Sequence, residues 1–143
     1  MTIKINDFLA ETSIHVRPIW NEFIINHIPP ELDQDMRRVN KTIRTEFHDS
    51  NGVYVYTDKN DIVLYVGIGK LAERIRFHYY ESFGKYSGKN CEKHIKFFTQ
   101  FQGEIKILWT KIDNREDQKE IEMLLTHFLS PVYEDMKKKG LLY

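Results

Sequence analysis

Residues 52–67 read GVYVYTDKNDIVLYVG, and this stretch decides the fold because it predicts a β-hairpin. Its two halves are rich in Val, Tyr, Ile and Leu, and residues 58–61 between them carry the Asp and Asn side chains that favour a tight reversal. Each half places a tyrosine beside a glycine: Gly52-Val53-Tyr54 opens the first strand, and Tyr65-Val66-Gly67 closes the second. A basic segment, residues 70–78, follows directly. The order of these pieces predicts a functional site as well as a hairpin.

The composition of the chain is that of one ordinary globular domain. A length of 143 residues predicts a single domain with a real core, and a hydrophobic content of 41% argues against global disorder. No apolar run reaches the roughly 18 residues of a membrane helix, and the first residues lack the layout of a secretion signal. Cys91 is the only cysteine, which excludes an internal disulfide and fits a reducing compartment. We therefore expect a cytoplasmic protein without a membrane partner.

Charge is distributed unevenly along the chain. The net charge is zero, which argues against an indiscriminate nucleic-acid binder. Lys and Arg nevertheless outnumber Asp and Glu in residues 70–111, whereas acidic residues are in excess on both sides of this segment. Such a concentration of positive charge can hold a phosphate backbone. It can equally be a solvated basic face, and charge alone favours the two interpretations equally.

Residues 1–48 are predicted to form a helical extension that packs on the rest of the chain. Residues 14–24 place apolar side chains at near-helical spacing, and residues 31–47 carry an apolar stripe on one helix face. A turn signal then leads into the hairpin. Residues 49–143 form the main part of what we expect to be a single compact domain.

The rest of the chain alternates between helix and strand patterns. Helices are predicted over residues 71–81 and 91–102, and a third strand over residues 104–111. A core-facing helix begins after Asn114, a good N-cap, and ends before Pro131. The predicted fold is therefore α/β of the α+β type, with a small three-stranded sheet flanked by helices.

Several pieces of the chain, taken in order, resemble the GIY-YIG nuclease family. Gly52-Val53-Tyr54, ten further residues and Tyr65-Val66-Gly67 are similar to the double signature of that family. Arg74 matches the arginine that follows the second signature, and His78 matches a histidine of some members, notably certain restriction enzymes. Glu122 matches the helical glutamate. Either signature alone is a weak signal, but the pieces in this order and spacing are fairly specific.

The resemblance covers residues 51–134 and ends in a segment similar to the Pro-x-Tyr-Asn of the family. Here that segment reads Pro131-Val132-Tyr133, and Glu134 stands where many members have Asn. Ile68 stands where many members have Lys, although Lys70 follows closely. The resemblance implies a GIY-YIG-like fold for this part of the chain.

The resemblance also implies metal-dependent hydrolysis of phosphodiester bonds in DNA. Glu122 would bind one hard divalent cation, Mg²⁺ or Mn²⁺, and Arg74 would donate to two phosphate oxygens. Tyr54 would act as general base, for which nearby cations would have to lower its pKa from the ordinary value near ~10. Tyr65 would orient the water or the phosphate, and His78 would assist proton transfer or hold phosphate. These five residues are the predicted catalytic set.

Some assignments have close alternatives in the sequence. Arg76 is the alternative to Arg74, and Glu120 is the alternative to Glu122 as the metal ligand. Tyr56 is expected to be a packed aromatic residue with no role in the chemistry.

A further cysteine and histidine suggest a metal pair only weakly. Cys91 and His94 lie three positions apart, but no second pair follows, so we do not expect them to bind a metal ion. His27, like the other histidines of the first fifty residues, is interpreted as structural or exposed because no second ligand lies near it in sequence.

DNA is the predicted partner, held by basic residues of the central segment and by the loop over residues 84–90. The candidate nucleic-acid-binding residues are Lys70, Arg76, Lys85, Lys89, Lys93 and Lys96. One small domain contacts little DNA, so a homodimer that cuts both strands is also expected.

Two other functions remain open on the sequence alone. The first is a catalytically inactive nucleic-acid-binding or protein-interaction module of the same fold, which Ile68 and Glu134 favour. The second is an enzyme that acts on a small phosphorylated substrate, but Gly67-Ile68-Gly69 is too short to be a recognised phosphate-binding loop.

Overall fold

The computed structural model describes residues 1–12, 14, 16–85 and 92–143. Within these ranges it contains four strands and six helices. In chain order they are α1 (Thr2–Ala10), β1 (Asn21–His27), α2 (Asp33–Phe47), β2 (Asn51–Thr57), β3 (Val63–Lys70), α3 (Leu71–Glu81), α4 (Glu92–Phe98), β4 (Gly103–Lys111), α5 (Arg115–Leu129) and α6 (Val132–Lys138). The strands form one antiparallel sheet in the order β1-β4-β2-β3, so the fold is α+β.

The predicted hairpin is confirmed as β2 and β3. Tyr54 faces Gly67 in its register, and Tyr56 faces Tyr65. The reversal is held by the Asp58 carboxylate, which accepts hydrogen bonds from the backbone N–H groups of Asn60 at 2.8 Å and Ile62 at 3.0 Å. Such Asp-centred turns explain why this polar stretch joins the two strands tightly.

The sheet is covered on both faces, and β2 shows how. Its side chains alternate, so Tyr54 and Tyr56 enter one buried cluster, whereas Val53 and Val55 enter another. Helices α2, α3, α4 and α6 pack on the tyrosine face. Helices α1 and α5 pack on the valine face, where Phe8 stacks on Phe128 with ring centroids 4.1 Å apart. All hairpin residues from 52 to 57 are consequently buried.

The helix predicted over residues 14–24 is wrong, because its last four residues belong to strand β1. This strand pairs with β4, and the sheet therefore has four strands where three were predicted. Residues 23, 25 and 27 face inward, whereas Ile24 is 59% exposed. The alternation of inward and outward side chains in β1 covers only a few residues, and the apolar residues of the same stretch are also spaced as in a helix. Residues 1–48 thus contribute an edge strand as well as two helices.

The other predicted elements are confirmed with small changes. Helix α3 has the predicted bounds, and the Asn114 side chain caps α5 by accepting from the backbone N–H groups of Glu116 and Asp117. Helix α4 ends at Phe98, four residues before the predicted end. Neither α1 nor α6 was predicted, and α6 contains part of the lysine run near the C-terminus. Within the described ranges, no helix combines the length and apolar composition needed to cross a membrane.

Candidate functional site

Two glycines allow the hairpin tyrosines to sit where they do. A Cβ atom at Gly67 would overlap the ring and hydroxyl of Tyr54 on the facing strand. A Cβ atom at Gly52 would overlap the carbonyl oxygen of Thr110 on β4. The glycine beside each tyrosine is therefore explained by close approach of a ring or of backbone.

The Tyr54 hydroxyl begins a buried hydrogen-bonded chain. Its oxygen lies 2.7 Å from Nε2 of His78 on α3, and Nδ1 of His78 lies 2.7 Å from a carboxylate oxygen of Glu81. Because an ionised carboxylate only accepts, Nδ1 of His78 carries the proton and Nε2 accepts from the Tyr54 hydroxyl. All three side chains are buried, and the His78 ring stacks on Phe98 with centroids 4.5 Å apart. We refer to this as the Tyr54–His78–Glu81 chain.

His94 on α4 joins this chain from the side. Its Nδ1 lies 3.5 Å from the second carboxylate oxygen of Glu81, and its Nε2 lies 3.4 Å from the Tyr65 hydroxyl. Cys91, the partner considered for His94 on the sequence, lies outside the described residues. The structure thus gives His94 two partners that are distant in sequence.

Burial and hydrogen bonding set the charges of these groups. Burial lowers the pKa of His78 to about 4, against the opposing effect of Glu81, so the imidazole is neutral at pH 7. Burial alone would raise the pKa of Glu81, but hydrogen bonds from His78 and His94 outweigh it and lower the pKa to about 2. The site therefore contains an ionised carboxylate between two histidines.

The Arg74 guanidinium interacts with both hairpin tyrosines, Tyr54 and Tyr65, and favours the ionised form of each. Burial raises the pKa of Tyr54 to about 12 and outweighs the lowering effect of the Arg74 guanidinium. Burial likewise raises the pKa of Tyr65. The lowered tyrosine pKa expected from the nearby cations is therefore not found, and both phenols are protonated in the free chain.

A cleft of about 560 Å³ opens beside β3. We call it the Glu122 cleft, and its lining residues are Tyr65, Gly67, Ile68, Gly69, Arg74, Arg115, Lys119 and Glu122. Arg115, Lys119 and Glu122 lie at i, i+4 and i+7 on α5 and therefore share one face of that helix. Glu120, the alternative to Glu122, is exposed and does not line the cleft.

Glu122 is half-buried and lies among charges of both signs. Burial raises the pKa of Glu122 and the carboxylate of Glu134 adds to this effect, whereas Arg115, Arg74 and Lys137 oppose it. Glu134 itself forms an ion pair with Lys137 at 3.1 Å. Glu134 acts on Glu122 electrostatically, but it does not line the cleft.

The structure brings the predicted catalytic residues together in two layers. Tyr65, Arg74 and Glu122 line the Glu122 cleft. Tyr54 and His78 lie behind them, fully buried, and Arg74 connects the layers through its contacts with both tyrosines. Tyr56 is a packed core residue, as predicted.

The predicted nucleic-acid-binding residues are spread over several places. Lys70 and Arg76 line a groove of about 440 Å³ between α2 and α3, which also contains Arg44; we call it the α2–α3 groove. Lys93 and Lys96 line a separate depression beside Tyr143. Lys85 is in neither place, and its Nζ lies 5.7 Å from the centroid of the Tyr80 ring. Lys89 lies outside the described residues.

Four residues of the site were not anticipated: Glu81, His94, Arg115 and Lys119. The spacing of residues along a helix could have predicted three of them. Glu81 follows His78 by three positions, and Arg115 and Lys119 share the helix face of Glu122. His94 had no such signal, because only the packing of α4 against α3 brings it to Glu81.

No protein-family model, curated protein or solved structure matches the chain.

Proposed function

We propose that the chain is a metal-dependent endonuclease of the GIY-YIG type that hydrolyses phosphodiester bonds in DNA. One observation carries the proposal: Tyr65, Arg74 and Glu122, distant in sequence, line one cleft, with Tyr54 and His78 directly behind. A packed core alone gives no reason for an arginine, a half-buried carboxylate and two hydrogen-bonded tyrosines to meet there.

The cations of the Glu122 cleft suit a phosphodiester. Arg74, Arg115 and Lys119 all line it, and guanidinium groups donate to two phosphate oxygens at once. The apolar Ile68 replaces a lysine of the family pattern, and Lys119 from α5 places an ammonium group in the same cleft. The substrate phosphate would be bound by these three side chains.

The donor set also fits a hard divalent cation. Glu122 lines an open cleft, and a bound cation would add to the stabilisation that Arg115 and Arg74 give its carboxylate against burial and Glu134. Carboxylate oxygens are the ligands that Mg²⁺ prefers. Glu122 would hold the ion, with Glu134 in support, and the bound ion would stabilise negative charge on the phosphate.

The Tyr54–His78–Glu81 chain offers a path for one proton. The Tyr54 oxygen takes a proton from the attacking water while its own proton passes to Nε2 of His78. The water oxygen bonds to phosphorus as the bond to the leaving oxygen breaks, and that oxygen departs as an alkoxide that takes a proton from solvent. Ionised Glu81 stabilises the imidazolium that forms, much as a carboxylate does in hydrolytic triads. A tyrosine with a raised pKa can act in this way because its proton has an acceptor.

Access to Tyr54 requires Arg74 to move. Tyr54 has no exposed surface, whereas Arg74 both contacts its oxygen and lines the cleft. When Arg74 turns to a phosphate, it leaves the tyrosine oxygens. Substrate binding would thereby open the path from the cleft to the proton acceptor.

The α2–α3 groove extends the basic surface. Arg44, Lys70 and Arg76 line it, and Lys70 is next in sequence to Gly69 of the Glu122 cleft. A DNA backbone held in this groove would continue toward the cleft. A homodimer would present two such surfaces, one for each strand.

The buried state of Tyr54 also favours a second candidate function, a non-catalytic nucleic-acid-binding module. With Tyr54 enclosed and Ile68 in the cleft, the chain could bind DNA without cutting it.

One experiment separates the two functions. Purified full-length chain is incubated with supercoiled plasmid and Mg²⁺ or Mn²⁺, with chelator in parallel, and nicked and linear products are measured. We expect cleavage that needs the metal ion and falls at least ~100-fold in Glu122→Gln, since one transition-state charge contact is worth about that much. Glu120→Gln, on the exposed face of α5, is the matched control and should cleave normally. Binding without nicking would overturn the nuclease proposal and leave the binding module.

A further inference from the structure

We propose that His78, Glu81 and His94 form a second metal site, for a transition-metal ion such as Zn²⁺, distinct from the divalent-cation site at Glu122. Each residue offers one ligand atom, and these atoms lie within 4.8 Å of one another. The site joins α3 to α4 and uses His94, which has no part in the proposed hydrolysis. Metal binding there goes beyond the proposed function and does not depend on it.

One of the two printed ligand separations matches that of a bound ion, and the other is a hydrogen bond that the ion would replace. Nδ1 of His78 lies 2.7 Å from one carboxylate oxygen of Glu81, and Nδ1 of His94 lies 3.5 Å from the other. Ligands about 2.1 Å from one tetrahedral Zn²⁺ are roughly 3.4 Å apart, so small side-chain shifts would admit the ion.

The outer contacts of the two histidines support this interpretation. Both direct Nδ1 to Glu81, and both place Nε2 near a tyrosine hydroxyl: Tyr54 for His78 and Tyr65 for His94. Metal-binding histidines are oriented in this way, with the remaining ring nitrogen donating to an oxygen. The two histidines contact Glu81 in the same way, so the three candidate ligands are already close together.

The ligand types and the exposure indicate which metal ion would bind. Two imidazole nitrogens and one carboxylate suit Zn²⁺ and similar ions, whereas Mg²⁺ prefers oxygen ligands alone. The side chains of His78 and Glu81 are 0% and 2% exposed, but that of His94 is 21% exposed. The ion would therefore enter beside His94, and a fourth position would remain for water.

Metal binding here would regulate the proposed nuclease, and this consequence does rest on the proposed function. With Nδ1 of His78 bound to the metal, the proton of the neutral ring lies on Nε2. Nε2 would then donate to the Tyr54 oxygen and could not accept its proton. Zn²⁺ at this site should inhibit a nuclease that Mg²⁺ activates.

The test measures binding without DNA, so its result is independent of nuclease activity. Full-length Cys91→Ser chain, which lacks the only thiol, is treated with chelator and titrated with Zn²⁺ against a chromophoric indicator. We expect one Zn²⁺ per chain and a loss of affinity of at least ~10-fold when His94→Ala is added. His127→Ala, which removes an exposed histidine of α5, is the matched control and should leave the affinity unchanged.

Thermal unfolding provides a second measurement. An ion that binds only the folded chain raises Tm with its concentration, so Zn²⁺ should raise the Tm of the unchanged chain more than that of the His94→Ala chain. Equal Zn²⁺ affinity with and without His94, or no rise in Tm, would overturn the proposal.

Discussion

At the scale of single residues, the position of the Tyr54 ring depends on the absence of a side chain at Gly67. The Tyr54 ring lies where a side chain at position 67 would be, so Gly67→Ala must displace the ring. We expect the variant to lose about 1–3 kcal/mol of stability, as overpacked cores do, and to lose cleavage because the Tyr54–His78–Glu81 chain is broken. Urea unfolding and the plasmid assay measure the two effects.

Lys59→Ala, in the exposed turn of the same hairpin, is the control for this substitution and should change neither stability nor cleavage. A Gly67→Ala chain with unchanged stability would contradict the close packing of ring on glycine.

The sequence predicted the positions of some site residues but not their environments. Tyr54, Tyr65 and Arg74 were chosen by motif, and they do meet in the structure. The raised pKa of Tyr54 was not foreseen, because spacing in sequence does not show how deeply a phenol is buried. His94 was considered only with Cys91, and its contact with Glu81 was not predicted because Glu81 lies on another helix.

At the scale of elements, α5 presents one charged face to the Glu122 cleft. Lys119 lines the cleft and is itself exposed, so Lys119→Gln should weaken DNA binding without unfolding the chain. The loss of one phosphate contact should reduce the slope of log K against log salt by about 1. Fluorescence anisotropy with labelled duplex DNA at several salt concentrations measures this slope.

Lys138→Gln provides a matched loss of charge on the exposed side of α6. Its salt slope should equal that of the unchanged chain. Equal slopes for the Lys119 and Lys138 variants would show that Lys119 in the cleft does not contact a DNA phosphate.

Elements with a strong local pattern were predictable, and those without one were not. In the hairpin, α3 and α5, the apolar periodicity and the turn or cap residues all lie within the element itself. Strand β1 becomes a strand through pairing, for example of Phe23 with Ile107, and its own residues also fit a helix. The fourth strand of the sheet could therefore be found only in three dimensions.

The stability of the whole molecule should depend on pH through buried histidines. His27 is fully buried among aromatic rings, and burial lowers its pKa to about 3. Above pH ~6.5 the folded and unfolded states both hold His27 neutral, so there is no penalty. As the pH falls from ~6.5 toward 3, the unfolded chain binds a proton that the folded chain excludes, and folding weakens by ~1.4 kcal/mol per pH unit.

Replacement of His27 by phenylalanine tests this dependence. The chain should lose stability between pH 7.5 and pH 5, and the loss should be smaller by about 2 kcal/mol in His27→Phe. The low pKa of His78 acts in the same direction and remains in the variant. Urea unfolding at both pH values measures the difference, and His127→Asn, an exposed site, is the control. An equal loss in His27→Phe would show that His27 is not the titrating group.

The strand order has a consequence for how the chain emerges during synthesis. β1 is made before the hairpin, but its only neighbour among the described strands is β4, which is made after the hairpin. The β2–β3 hairpin can close soon after it leaves the ribosome, because its strands are adjacent in the chain. Meanwhile Phe23 and Ile25 have no sheet to cover them until β4 appears. The apolar side chains of β1 therefore stay uncovered on the nascent chain until β4 is made, and we expect a chaperone to contact this strand during that interval.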